Sequence, residues 1–408
     1  MKKTLIIANH YPLPENNGSN IRTMHFVRYF QKLGPVDIVY SHTLPGAETG
    51  NGAFANEYLF ELQDDSKDLI SRMKRFVATK NRPLPISKYT AASETELFKI
   101  ITANDYDYLL VRYIRNTFSL FRLSAKYQKR VLVDFDDLLS DALYDAQIKQ
   151  VRHPLRKLRL QINRKYLREY EKRCLHFGAA LFCNESDLLK VSGDQMKNGA
   201  VVVPNVYSRA SFARYNFGDG FSNPNILLFV GLLCYKPNVD GLNWFVDSIF
   251  PAFRQKYSDG KLWIVGRTPN EEVKEMCAYR KDIELFADVP DVKPFYRKCR
   301  AVVVPVLTGG GTRIKILEAA LANRPILSTP MGANGLALNP DSEIKLFSEE
   351  NEFVKCYQQL SNTTTYRNLI NNARKVVTEK YSQDNFETVL DDLQTKLEVQ
   401  NESVKSDE

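Results

Sequence analysis

Short apolar runs alternate with longer amphipathic stretches along almost the whole chain. Short apolar runs are typical of strands buried on both faces, and apolar residues that recur every three or four positions are typical of helices. Regular alternation of the two predicts parallel sheets covered by helices on both faces, which is an α/β architecture. The expected strands are Thr4–Ala8, Val36–Tyr40, Tyr108–Val111, Val131–Val133, Ala180–Cys183, Val201–Val203, Ile226–Val230, Leu262–Val265, Ile283–Phe286, Ala301–Val304 and Ile326–Ser328.

A polar segment divides these elements into two groups. Residues 208–224 are rich in Gly, Asn and Ser, which favours a linker. A chain of 408 residues is expected to form two domains of roughly 150–200 residues each. We therefore expect one domain over 1–207, a second over 225–380 and a terminal helix over 381–400. The helices expected between strands include Ile21–Leu33, Arg156–Cys174, Val239–Tyr257 and Val292–Cys299.

Composition excludes several classes of protein. No apolar run approaches the length of about 18 residues that a transmembrane helix requires. The apolar stretch after Met1 is too short for a signal peptide and indicates a first strand. The six cysteines form no C-x-x-C pair, and none of the five histidines lies near a cysteine pair. We expect reduced cysteines in a cytoplasmic protein, with no disulfide framework and no zinc site.

Positive charge is concentrated in the first half of the chain. Residues 1–200 carry 31 Lys/Arg against 22 Asp/Glu, whereas residues 201–408 carry 25 against 26. Within residues 152–173, Leu155, Leu158 and Ile162 recur at helical spacing with basic residues between them. One hypothesis is a helix that lies peripherally on the inner face of an anionic membrane. The alternative is a solvated helix whose apolar stripe packs on its own domain. Nucleic-acid binding is not expected, because no nucleic-acid-binding motif accompanies the charge.

The segment Thr308-Gly-Gly-Gly-Thr-Arg-Ile-Lys-Ile-Leu-Glu-Ala319 is the strongest indication of a binding site. Glycines between a strand and a helix allow a phosphate to approach the backbone, and the first amides of a helix have no intrahelical partner. Arg313 and Lys315 add positive charge, and Glu318 could accept hydrogen bonds from a ribose diol. The arrangement fits a nucleotide diphosphate at a helix N-terminus. The alternative is a glycine-rich turn with solvated charges.

A series of motifs resembles family 4 retaining glycosyltransferases of the GT-B architecture, in particular the subgroup with a G-G-G-T-R-x-K-x-x-E-A motif. The resemblance spans nearly the whole chain in order and is more specific in the second half. Its motifs begin at Pro14, Val133, Cys183, Val203, Gly231, Trp244, Val265, Asp288, Gly309 and Pro325.

The resemblance implies two Rossmann-like domains that face each other across a cleft. The second domain would bind a nucleoside-diphosphate sugar, and the first would bind a saccharide or lipid-linked saccharide acceptor. The final helix would cross back to the first domain. The expected activity is metal-independent transfer of the sugar with retention of configuration, in the synthesis of surface polysaccharide or glycoconjugate. No cofactor is expected.

The resemblance also assigns roles to individual residues. The leaving diphosphate would be stabilised by basic residues, and Asp136 would lie near the transferred sugar. Acceptor contacts would come from two residues of the first domain, Arg112 and Asp137. The catalytic set is Arg313, Lys315, Lys236 and Asp136. The donor-binding set is Gly18, Ser19, Gly231, Gly266, Val289, Gly310, Gly311, Thr312 and Glu318.

Two positions depart from the family pattern. Gly310 stands where most members have a glutamate that contacts the sugar, and Asp136 stands where many have a histidine. Asp136 and Asp137 could instead form a helix cap or a salt bridge, and Arg112 could be surface charge. Asp134 and Asp136 together form a D-x-D pair, which is the metal motif of the GT-A fold. This alternative would leave the second domain without a role.

Two further functions remain open at this point. One is a catalytically inactive relative that binds nucleotide or a partner, which the glycine at position 310 favours. The other is a sugar-nucleotide epimerase, although such enzymes lack the G-G-G-T-R-x-K segment.

Overall fold

The computed structural model describes residues 1–15, 17–43, 46–47, 49–62, 89–193, 199–206, 212, 215–308 and 313–405. The chain forms two compact units. The first unit comprises Met1–Pro204 and Glu387–Glu408, and the second comprises Asn205–Phe386.

The first unit is built on a seven-stranded parallel sheet in the order β3-β2-β1-β4-β5-β6-β7. Its four central strands are fully buried, as expected for a parallel sheet covered on both faces. The strands are β1 (Thr4–Ile7), β2 (Val36–Tyr40), β3 (Glu57–Leu59), β4 (Tyr108–Arg112), β5 (Val131–Asp134), β6 (Ala179–Phe182) and β7 (Ala200–Val202).

Several helices of the first unit begin at residues whose side chains cap the helix. The side chain of Asn17 accepts a hydrogen bond from the amide of Asn20 at the start of α1, and Gly34 ends that helix. The helices are α1 (Gly18–Leu33), α2 (Ala91–Asn104), α3 (Ala125–Gln128), α4 (Leu139–Gln150), α5 (Pro154–Cys174) and α6 (Glu185–Ser192), with 3₁₀ turns at Ile114–Thr117 and Ser119–Arg122.

The second unit is built on a six-stranded parallel sheet in the order β10-β9-β8-β11-β12-β13. Aliphatic strands with buried side chains again form its centre. The strands are β8 (Ile226–Leu232), β9 (Lys261–Arg267), β10 (Ile283–Ala287), β11 (Ala301–Val304), β12 (Ile326–Ser328) and β13 (Lys345–Leu346).

The helices of the second unit cover both faces of its sheet, with two separate apolar clusters. They are α7 (Lys236–Trp244), a π-helical turn (Phe245–Ile249), α8 (Phe250–Lys256), α9 (Glu271–Ala278), α10 (Lys293–Lys298), α11 (Ile314–Leu321), α12 (Pro330–Ala333), α13 (Glu350–Gln359) and α14 (Thr363–Lys380). The last helix, α15 (Gln383–Lys405), starts in the second unit and mostly belongs to the first. Within the first unit, the hydroxyl of Tyr29 donates to Asp391 over 2.8 Å, and Lys32 pairs with Glu387 over 2.6 Å.

The structure differs from the sequence expectation at residues 215–224. Instead of linking the units freely, this segment packs on the second unit, where Phe217 is buried. The guanidinium of the buried Arg324 donates to the carbonyls of Phe217 and Gly218 over 2.7 and 3.2 Å. Two backbone carbonyls of the segment are therefore satisfied by this one arginine. The remaining residues from 207 to 214, except Phe212, lie outside the described residues.

Candidate functional site

The reversal of strand order marks the place in each sheet where ligands of open α/β folds bind, outside the carboxyl ends of the strands. In the first unit it lies between β1 and β4, and in the second between β8 and β11. Gly231 lies near the end of β8 and Lys236 follows that strand, while Arg313 and Lys315 follow β11. The second sheet therefore brings two distant predicted motifs to one edge.

Close backbone packing explains two glycines at this edge, Gly241 and Gly266. A Cβ on Gly241 of α7 would lie 2.2 Å from the carbonyl oxygen of Pro305, so α7 packs directly on the chain that leaves β11. Gly231 and Gly266 are partners on neighbouring strands. A Cβ on Gly266 would lie 1.8 Å from the Gly231 oxygen. At Gly241 and Gly266 no other residue fits without moving the backbone, whereas a Cβ on Gly231 would meet the side chains of Asn238 and Lys315.

Lys315, in the first turn of α11, points to the end of β8. Its Nζ donates to Oδ1 of Asn238 over 2.9 Å and lies 4.2 Å from the centre of the Phe229 ring. A Cβ on Gly231 would lie 3.0 Å from this Nζ. Burial and the nearby charge of Arg313 lower the pKa of Lys315 to about 7, although Glu318 acts in the opposite direction. The site therefore holds a cation with incomplete charge compensation.

Glu318 lies one turn further along α11. Its Oε2 accepts a hydrogen bond from the hydroxyl of Tyr296 over 2.9 Å. Burial raises the pKa of Glu318, while the Tyr296 hydroxyl, Lys315 and Lys293 act to lower it. A carboxylate fixed in this way can accept further hydrogen bonds from a diol.

The other residues predicted in this unit occupy varied environments. Lys236 is exposed in the first turn of α7 and pairs with Asp240 over 2.8 Å. Val289 is partly buried and packs against the apolar core. Arg313 is the N-cap of α11 and is partly exposed. Gly310, Gly311 and Thr312 lie outside the described residues.

A network of buried charges lies at the corresponding edge of the first unit. Asp134 ends β5 and is fully buried between two guanidinium groups. Arg22 of α1 donates to both of its carboxylate oxygens over 2.6–3.2 Å, and Arg112 at the end of β4 pairs with it from the other side. A further N–H of Arg22 donates to the carbonyl of Val203 over 2.9 Å. The network fixes α1 to three strands of the sheet.

Asp136 extends this network toward the surface. Its Oδ2 accepts from Arg112 over 3.2 Å, and its side chain is 16% exposed. Although burial acts to raise it, Arg112 and Arg22 hold the pKa of Asp136 below its usual range. The residue adopts a positive φ of 57°, as does Tyr113, with 68°, after the neighbouring strand. Backbone strain of this kind is typical of functional sites.

The structure brings Ser19 and Asp136 to one place. The hydroxyl of Tyr113 donates to Oγ of Ser19 over 2.5 Å, and Arg112 bonds both to Asp136 and, over 3.4 Å, to the Ser19 carbonyl. Arg112 is fully buried, so it does not form the exposed charge that the sequence allowed; it holds Asp136 in position. Gly18 is exposed at the start of α1, and Asp137 is partly exposed.

Sequence analysis missed four residues of these two edges. They are Arg22, Tyr113, Asn238 and Tyr296, each defined by a tertiary hydrogen bond. Three of them carry a sequence signal, since Tyr113 follows a predicted strand end, Arg22 lies in the Pro14 motif and Asn238 lies in the motif that begins at Gly231. Across the part of the chain that the structure describes, no three His, Cys, Asp or Glu residues are grouped as metal ligands would be.

Comparison with known proteins finds a family model that matches part of the second unit. Residues 224–362 match the family described as glycosyl transferases group 1. A Klebsiella pneumoniae relative, described as an uncharacterized 44.6 kDa protein in cps region, is 22% identical over 406 residues, covering 93% of this chain and 97% of the relative.

Two solved structures are similar in fold to nearly the whole chain. Anabaena HepE in complex with UDP-glucose is 11% identical with a TM-score of 0.61, covering 96% of this chain and 99% of that chain. WaaG, a glycosyltransferase involved in lipopolysaccharide biosynthesis, is 13% identical with a TM-score of 0.59, covering 95% and 99%. The fold is GT-B, with two Rossmann-like α/β units, and together with the family match it supports a glycosyltransferase enzyme.

Proposed function

We propose that the protein is a retaining, metal-independent glycosyltransferase that moves a sugar from a nucleoside-diphosphate sugar to a saccharide or lipid-linked saccharide. The observation that carries this proposal is the group formed by Lys315, Asn238 and Glu318 at the strand-order reversal of the second sheet. It pairs a cation suited to a diphosphate with a carboxylate suited to a ribose, in the region that matches the family.

The chemistry follows from the charge that develops during transfer. The bond between the anomeric carbon and the diphosphate oxygen breaks, and a bond from that carbon to an acceptor hydroxyl oxygen forms. The hydroxyl proton leaves with the nucleoside diphosphate. Arg313, Lys315 and Lys236 supply positive charge to the leaving diphosphate, and each well-placed donor of this kind contributes about 10²–10³ in rate. Glu318 binds the ribose hydroxyls.

Residues of the first unit take the remaining roles. Gly18 and Ser19 at the start of α1 take part in donor binding, and Asp136 accepts a hydrogen bond from a sugar hydroxyl. Arg112 is a positioning residue for Asp136, since its guanidinium is buried behind that carboxylate. Tyr113 restrains Ser19 through its hydroxyl.

Metal independence is supported by the ion pairs that the two carboxylates of the D-x-D motif already form. Asp134 is fully buried and paired with two arginines, and Asp136 is paired with one of them. A divalent cation at this pair would be placed beside two guanidinium groups, which repel it. Positive charge for the diphosphate comes from Arg313 and Lys315 instead, so turnover should persist in excess chelator.

The test begins with nucleotide binding. Purified protein is heated with ADP, CDP, GDP, UDP and dTDP, because a ligand that binds the native state at about 100 times its Kd stabilises it by about 2.7 kcal/mol. The corresponding sugar nucleotides are then assayed for release of nucleoside diphosphate with and without chelator. Turnover in chelator is the expected result. Stabilisation without any release favours the inactive relative, and conversion to another sugar nucleotide favours the epimerase.

The acceptor class is proposed from the relatives. The Klebsiella relative is described as lying in a cps region, and WaaG as acting in lipopolysaccharide biosynthesis. A saccharide of a surface polysaccharide, free or attached to a lipid, is the acceptor that fits both descriptions. Retention is tested on the isolated product by the configuration of its anomeric carbon.

We further propose that the start of α5 holds the enzyme on an anionic membrane surface. Residues 152–159 are all exposed, including Leu155 at 71% and Leu158 at 52%. The apolar stripe expected to pack on the domain is therefore covered only further along, partly at Leu160 and Ile162 and fully at Leu167 and Tyr170. Apolar side chains beside several arginines and a lysine match the chemistry of an anionic bilayer interface. The described residues contain no helix long and apolar enough to span a membrane.

Vesicle sedimentation tests this contact. Binding should increase with the fraction of anionic lipid and decrease with salt. Replacing Arg156, Lys157 and Arg159 with glutamine should weaken it by about 3 kcal/mol, at about 1 kcal/mol for each charge. A control with the same charge loss replaces the exposed Lys274, Lys298 and Lys375 with glutamine. Equal binding by both triple variants would exclude α5 as the contact.

A further inference from the structure

Asn238 connects the two motifs that meet at the edge of the second sheet. It lies in α7 and is 8% exposed. Its Nδ2 donates to the carbonyl of Leu232, at the end of β8, over 2.9 Å, and its Oδ1 accepts from Lys315 over 2.9 Å. A carbonyl can only accept and an ammonium can only donate, so this orientation of the amide alone satisfies both partners. Asn238 therefore fixes where the Lys315 ammonium lies.

The surroundings leave this ammonium little freedom to move elsewhere. The face of Phe229 lies on one side, and a Cβ on Gly231 would come within 2.9 Å of the Asn238 amide nitrogen and 3.0 Å of Lys315 Nζ. Among the described residues, Asn238 is the hydrogen-bond acceptor of the ammonium. Since an ammonium has three N–H donors, two are left for a ligand.

We propose that Asn238 is a positioning residue for the donor diphosphate: anchored to the Leu232 carbonyl, its amide holds the protonated Lys315 at the end of β8. The inference rests on the proposed function, because it assumes that the ligand of Lys315 is a diphosphate. Asn238 acts through Lys315 and does not contact the ligand itself.

The charged environment makes this role measurable by pH. Arg313 and Glu318 lie on the same helix as Lys315, while α10 contributes Tyr296, whose hydroxyl bonds Glu318, and Lys293, which faces Glu318. The nearest group from α7 is the neutral amide of Asn238. Changing that amide alters how readily Lys315 keeps its proton, whereas a change that only disturbs packing leaves this unaltered.

The experiment measures binding of a glucose nucleotide by titration calorimetry at about pH 6 and about pH 8, on either side of the pKa of Lys315. The nucleoside is the one selected by the thermal screen, and the sugar diphosphate keeps a constant charge over this range. Asn238→Ala should weaken binding about tenfold or more at the higher pH and less at the lower pH. Asn238→Asp adds a carboxylate that competes with the diphosphate but stabilises the ammonium, so binding should be weaker at both values with a smaller dependence on pH.

Two further variants complete the design. Gly231→Ala keeps Asn238 but crowds its contact with Lys315, and it should resemble Asn238→Ala even if the latter folds poorly. Asn243→Ala, on the same helix with its amide directed to Glu272, should bind like the wild type. Weakening that is equal at both pH values, or wild-type binding by both Asn238→Ala and Gly231→Ala, overturns the inference while leaving the proposed function intact. Absence of wild-type binding to any glucose nucleotide overturns both.

Discussion

The two units share a doubly wound parallel sheet, but the carboxyl edges of the two sheets differ in how charge is balanced. In the first unit, Arg22 and Arg112 are paired with Asp134 and Asp136, and the network is largely buried. In the second unit, Lys315 is hydrogen-bonded to the neutral amide of Asn238. Burial and the charge of Arg313 lower the pKa of Lys315, whereas Arg112 and Arg22 lower that of Asp136.

The difference indicates what each edge requires from a ligand. A buried cation without a carboxylate partner is costly to keep charged, and an anion that binds beside it removes that cost. A buried network that is already paired gains little from a further charge, but its geometry is fixed by many bonds. We infer that the second edge recognises the charge of the donor and that the first edge orients hydroxyl groups.

The largest expected effect comes from disrupting the buried ion pairs at the edge of the first sheet. Asp134→Asn leaves two buried guanidinium groups without their carboxylate, which should cost about 3–5 kcal/mol of stability. The melting temperature of the first unit should fall by about 10 °C. Asp219→Asn is the control, because Asp219 forms an exposed pair with Arg367 that contributes about 1 kcal/mol or less. Similar melting of both variants would show that the buried network is not stabilising.

The next effect concerns turnover at the edge of the second sheet. Arg313→Ala and Lys315→Ala should each reduce kcat/KM for the sugar nucleotide by about 10²–10³, because each removes charge that stabilises the leaving diphosphate. In the absence of ligand, Lys315→Ala should not lower the melting temperature, because it removes a cation whose charge is incompletely compensated. Asp134→Asn, in contrast, should lower it. Lys298→Ala, exposed on α10, serves as the control. Near-normal turnover of both variants would show that the diphosphate does not bind at this edge.

The smallest effect is the pH dependence that follows from the pKa of Lys315 of about 7. A bound diphosphate raises this pKa, so affinity should be constant below about pH 7 and fall by up to about tenfold per pH unit above it.

For the ligand-free protein, stability should change with pH in the opposite direction to this affinity. The native state loses this proton at lower pH than the unfolded chain, so the contribution of Lys315 to stability rises with pH between about 7 and 10.5. Lys315→Met should abolish both dependences, as calorimetry and thermal melting at several pH values would show.

The sequence was sufficient for the strands and insufficient for the contacts between them. Central strands such as Ala301–Val304 are aliphatic and were predicted with the observed bounds, whereas β3 and β13 are short, contain charged residues and were missed. The single helix expected over Val239–Tyr257 is interrupted by a π-helical turn, which its apolar spacing does not reveal.

The residues of the candidate site differ in the same way: those that share one helix were predictable, and those defined by tertiary contacts were not. Lys315 and Glu318 were predictable because a helix places positions three apart on one face. Asn238 was not, since its role depends on the contact between Gly241 and Pro305, which lie far apart in the chain. The sequence allowed Arg112 to be surface charge and Asp134 to belong to a metal motif, and only the partner strand and α1 show that the two are paired.

The most direct measurement of the central claim is the affinity of the selected nucleoside diphosphate for the wild-type protein and for Lys315→Ala, determined by titration calorimetry. The account predicts that at least one diphosphate of the panel binds the wild type and that Lys315→Ala binds it at least about tenfold more weakly, since a charge-assisted hydrogen bond is lost. Equal affinity of the two proteins, or no binding of any diphosphate to the wild type, would contradict it.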